Sequence, residues 1–87
     1  MHEASLMANL MHHITTLAKA QQASKVTAVQ LTLGALSHIS PEHLREHFLQ
    51  ASQGTMAAGA RLDIDVGADI TEPWAQDIRL DCIEVEG

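Results

Sequence analysis

Aromatic side chains are almost missing from this sequence. Phe48 and Trp74 are the whole complement, 2% of residues, and there is no tyrosine. A core must therefore be assembled from Leu, Ile, Val, Ala and Met, and a stacking platform for nucleic-acid bases is excluded. Basic residues are nearly as sparse. Lys19, Lys25, Arg45, Arg61 and Arg79 stand against 11 acids, the net charge is −6, and the five form no run. Counterion release from phosphates needs clustered Lys and Arg, so nucleic acid is not an expected partner. Cysteine occurs once, at Cys82, which rules out an intramolecular disulfide and a cysteine-only zinc site within one chain. This thiol reads as a small packed residue and not a reactive one. No stretch approaches the roughly 18 apolar residues of a membrane span, and no basic-then-apolar leader opens the chain. Membrane contact is not expected, and the chain reads as cytoplasmic.

What is present describes one domain, residues 1–87, with 46% hydrophobic residues. A chain of this size buries only about 60% of the surface its unfolded form exposes, so one modest core is the ceiling. Leu6, Leu10, Ile14 and Leu17, flanked by Met7, Met11 and Ala18, recur every three or four residues, which predicts a helix from about Ser5 to Ala23. Asn9, His12, Thr16 and Lys19 fall on its wet face. Val26 to Leu33 alternates as a half-buried strand. Ser40-Pro41-Glu42 is a helix start: a capping hydroxyl, a proline suited to the first turn, and an acid at the positive end of the dipole. Leu44, Phe48 and Ala51 supply its buried stripe, and Gly54 ends it. Arg61 to Val66 alternates cleanly as a strand with one wet face. Residues 67–77, with Pro73 and Trp74, read as a loop. Ile78, Leu80 and Cys82 share one phase and Ile83 and Val85 the other, which predicts a last strand with a bulge near Asp81-Cys82. The expected fold is α+β: two helices on one face of a small, three-stranded, largely antiparallel sheet.

Leu31-Thr32-Leu33-Gly34-Ala35-Leu36-Ser37, followed by Ser40-Pro41-Glu42-His43-Leu44, resembles the HypA/HybF family of nickel metallochaperones. The opening Met1-His2-Glu3 with Ser5-Leu6, the run Gly54-Thr55 with Ala58-Gly59-Ala60-Arg61-Leu62-Asp63-Ile64, and the closing Ile83-Glu84-Val85-Glu86 agree with it in order. One departure is plain. The family holds structural zinc in a long loop with two CxxC pairs between its second and last strands. Here residues 67–77 take that place without a cysteine. No zinc is therefore expected.

The resemblance implies a carrier that binds Ni(II) and loads the large subunit of a [NiFe]-hydrogenase, together with a maturation GTPase. Met1, His2 and Glu3 have suitable chemistry. The Met1 α-amine, the His2 amide and the His2 Nδ1 close five- and six-membered rings on one metal, with Glu3 or water in the fourth position. A planar nitrogen set favours Ni(II) or Cu(II) over tetrahedral Zn(II). A bulky second residue such as His2 also protects the initiator Met from removal. His12 and His13 are adjacent and point about 100° apart on a helix, so they read as a solvated face. His43 and His47 have a spacing that can share a metal, but no HExxH motif is present, and exposed polar residues explain them. His38 reads as a loop residue, and Asp63 and Asp65 as a solvated strand face. No nucleophile–base pair or phosphate loop appears, so no enzyme is expected. A metalloenzyme using His43 and His47 ranks lowest. The alternative to the carrier is a metal-free adaptor of the same fold that docks on a hydrogenase or maturation factor. Trp74, at an aromatic tip flanked by acids, is the expected partner-binding residue, and a homodimer through sheet edges is a second way to cover exposed strands.

Overall fold

The computed structural model describes residues 3–37, 39–71, 73 and 75–87. The first helix, α1, spans Glu3–Ala20, two residues earlier at its start and three at its end than the periodicity predicts. Its stop is a Schellman-type turn. Gln22 N–H donates to Lys19 O at 3.0 Å and Ala23 N–H to Ala18 O at 3.0 Å, with Gln22 at φ 57°. Glutamine in this left-handed conformation carries no sequence signal, which is why the apolar pattern runs past the helix end. Met7, Leu10, Ile14 and Ala18 form the buried stripe, and Asn9, His12, Thr16 and Lys19 are exposed as expected.

Helix α2 spans Pro41–Ser52. The Ser40 hydroxyl accepts from His43 N–H at 3.1 Å, and Glu42 lies in the first turn, so the predicted start is realised atom by atom. Leu44 and Phe48 are buried against the sheet.

Strands β1 (Lys25–Leu33), β2 (Arg61–Val66) and β3 (Ile78–Glu86) form one sheet in the order β2-β1-β3. The β1–β2 pair is parallel and the β1–β3 pair antiparallel, so the sheet is mixed and not largely antiparallel. The reason lies in the connection. β1 and β2 are joined through α2, and a helical crossover is the usual way to bring two strands parallel. β3 pairs with the central strand, on the far side from β2. The loop from Val66 to Ile78 crosses the end of β1, where Gly67 N–H donates to Leu33 O at 2.8 Å and Gly34 N–H to Asp77 O at 2.8 Å. Two strand spacings are about 10 Å, well within the reach of such a loop.

Register explains how the apolar phase survives two bulges. The inner face carries the rows Leu62–Val29–Ile83, Ile64–Leu31–Leu80 and Val66–Leu33–Ile78, with Val26 opposite Val85. The register shifts between Val26 and Ala28, and again between Gln30 and Leu31, where Asp81 is passed over. Each shift restores the apolar side chains to the helix side. The second is the predicted bulge. It also turns Cys82 outward: Cys82 is exposed on the open face, with its Sγ 3.2 Å from Gln30 Oε1, and is not packed in the core. The open face is polar. Arg61 reaches across the small Ala28, bridging to Asp63 at 2.9 Å and to Glu84 at 3.0 Å. Thr32 donates to Asp81.

Candidate metal site

Met1 and His2 lie outside the described residues. Glu3 opens α1 and so stands at a helix N-terminus. The first N–H groups of any helix have no intrahelical acceptor. An amide at this position can therefore be given up to a metal without breaking a helical hydrogen bond. Met7, one turn beyond Glu3, is buried and fixes this end of α1 to the body of the protein.

The other histidines divide by position. His12 and His13 are exposed on α1, as predicted, and His38 lies outside the described residues. His43 and His47 occupy successive turns of α2, His43 exposed and His47 half-buried, with ring centroids 4.7 Å apart and planes inclined at 52°. His47 lines a groove of about 350 Å³ between the helices with Met7, Ala8, Gln50 and Ala51. Among the described residues no group of three or more His, Cys, Asp or Glu side chains is arranged to hold a metal ion.

Acids and bases elsewhere have structural roles. The hydrogen bond it donates to Asp63, followed by the charges of Asp63 and Glu84, holds the Arg61 guanidinium above its ordinary value. In the loop, the Thr71 hydroxyl and backbone N–H both donate to Asp69 and keep its carboxyl below the ordinary carboxylate value. Asp63 and Asp65 are exposed on β2. Arg45 donates to the Leu62 carbonyl and ties α2 to the edge strand, a contact that no local sequence pattern announces. Trp74 lies outside the described residues. Its neighbour Ala75 is buried, and the Ala75 carbonyl accepts from Leu36 N–H at 2.6 Å, so the loop is held against the end of β1. No helix among the described residues is long and apolar enough to cross a membrane.

Three kinds of comparison bear on this arrangement. A family model described as hydrogenase/urease nickel incorporation, metallochaperone, hypA matches residues 1–71. The hydrogenase maturation factor HypA of Methylocella silvestris is 44% identical over 66 residues, covering 76% of this chain and 58% of that protein. The protein of the same name from Archaeoglobus fulgidus is 41% identical over 66 residues, covering 76% of this chain and 60% of its own length. The chain thus spans less than two thirds of these relatives. The solution structure of the Ni metallochaperone HypA from Helicobacter pylori superposes with a TM-score of 0.81 over 99% of this chain and 98% of that one. At 18% identity that likeness is one of fold, and it extends through β3, beyond the segment matched by the family model.

Proposed function

We propose a function from one premise: this chain belongs to the HypA family of hydrogenase/urease nickel-incorporation metallochaperones. The chain binds one Ni(II) at its N-terminus and hands it to the large subunit of a [NiFe]-hydrogenase during maturation. The Met1 α-amine, the His2 amide and His2 Nδ1 supply three ligands, and the Glu3 amide, its carboxylate or water supplies the fourth. The observation that carries this reading is the start of α1 at Glu3, which leaves the adjoining amides without helical acceptors. The match of the family model from residue 1 supports it. The amine must lose a proton to bind, and its ordinary pKa is about 7.7–8.0, so affinity rises with pH. Calorimetric titration with Ni(II) tests the reading. One tight, planar equivalent binds the native chain, and His2→Ala removes that equivalent; a planar equivalent of unchanged affinity in His2→Ala contradicts the assignment.

The protein acts by binding and transfer, without catalysis of its own. The bound nickel is cargo, and the short link at residues 67–77 supports a fold that does not depend on zinc. A maturation GTPase is the second partner in this reading, and Trp74 is the docking residue on the client side. The same short link favours a second reading, a metal-free adaptor that keeps the fold and docks on the maturation machinery. Ni(II) calorimetry on the native chain and on His2→Ala separates the two, because in the adaptor the two isotherms coincide.

A further inference from the structure

Two histidines on α2 stand apart from the N-terminal segment. Four residues separate His43 from His47, so their side chains leave the same side of the helix on successive turns. The rings are already close, with centroids 4.7 Å apart. A metal–imidazole bond of about 2.0–2.1 Å places a ring centre roughly 3 Å from the metal, so two imidazoles in adjacent coordination positions have centres about 4.5–5 Å apart. The observed separation falls within that range without any movement of the backbone. The helix beneath is well anchored, by the Ser40 cap at one end and by the buried Leu44 and Phe48 on its inner side. Glu42 and Glu46, both exposed, flank the pair in sequence and enrich cations locally.

We propose that His43 and His47 form a two-imidazole site for a borderline divalent transition metal, Ni(II), Cu(II) or Zn(II). Imidazole nitrogen suits these ions, whereas Mg(II) and Ca(II) require oxygen ligands. Water fills the remaining positions, and the open groove beside His47 leaves room for it. Met7 and Ala8 line the same groove, which sets His47 beside α1. The α2 site stands whether or not the N-terminal chelate forms.

The test uses the full chain carrying His2→Ala, which removes the imidazole of the N-terminal chelate. It is titrated with NiCl2 and, separately, with ZnCl2 while the imidazole C–H resonances are followed by NMR. The signals of His43 and His47 respond first, and together. H43A and H47A each weaken metal binding by about tenfold or more, because either leaves a single imidazole. Far-UV circular dichroism checks that each variant folds; His43 is exposed, so H43A decides the matter if H47A is damaged. The site is refuted if H43A binds as tightly as the parent, or if His12, His13 or His38 responds before the α2 pair.

Discussion

Ile14 has no exposed surface and lies at the centre of the α1 stripe, packed into the cluster that includes Leu31, Leu33 and Leu44. Ile14→Ala removes three carbons. At about 0.8 kcal/mol per buried carbon the transfer loss is roughly 2.4 kcal/mol, and the cavity left behind raises it to about 3–4 kcal/mol. Small domains gain about 2.1 cal/mol/K of entropy per residue on melting, so for 87 residues each kcal/mol moves Tm by about 5–6 °C. The expected fall is about 15–20 °C in a thermal melt followed by circular dichroism. Ile14→Val removes one carbon and is expected to cost only about 1 kcal/mol, or roughly 5 °C. Asn9→Ala, on the exposed face of the same helix, should stay within about 3 °C of the parent. If Ile14→Ala melts within 3–4 °C of the parent, roughly the shift of a surface change, then α1 is not packed on the sheet as described.

Three further outcomes follow from particular residues. Gln22→Gly relieves a side chain at φ 57° and should raise Tm by about 3–6 °C; a fall would mean that the glutamine side chain earns its place through contacts not captured by its conformation. EDTA should leave Tm unchanged and the purified protein should carry little zinc by elemental analysis, whereas a large drop in stability would reveal a structural metal. Trp74→Ala should weaken capture of the hydrogenase large subunit by about 2 kcal/mol or more while leaving the melt intact; a lowered Tm with normal capture would place Trp74 in the core.

Local chemistry was readable wherever one residue determines one local event. Ser40 and Pro41 marked the start of α2, Arg61 to Val66 alternated as an edge strand, and the slip in apolar phase at Asp81-Cys82 located the β3 bulge. The sequence is silent or misleading where the outcome depends on distant partners. Whether β2 runs parallel to β1 is set by the α2 crossover, and the loop bonds to Leu33 and Gly34 as β3 pairs with β1. Neither is a local pattern. Counted from Ile78 and Leu80, on the near side of the bulge, Cys82 takes the core phase. The same residue counted from Ile83 falls outside, as observed. The candidate site divides the same way. The proposal of Met1-His2-Glu3 as a ligand set rests on sequence chemistry, whereas the approach of the His43 and His47 rings to 4.7 Å depends on side-chain positions on α2.

The central claim is that nickel is held by the N-terminal amine together with His2. Its most direct test is Ni(II) absorption and circular dichroism at pH 8, comparing the chain that begins at Met1 with the same chain acetylated at its α-amine. The native chain should form a planar, diamagnetic Ni(II) species at one equivalent, and the acetylated chain should not. An identical planar species, formed with the same affinity by the acetylated chain, would contradict the assignment.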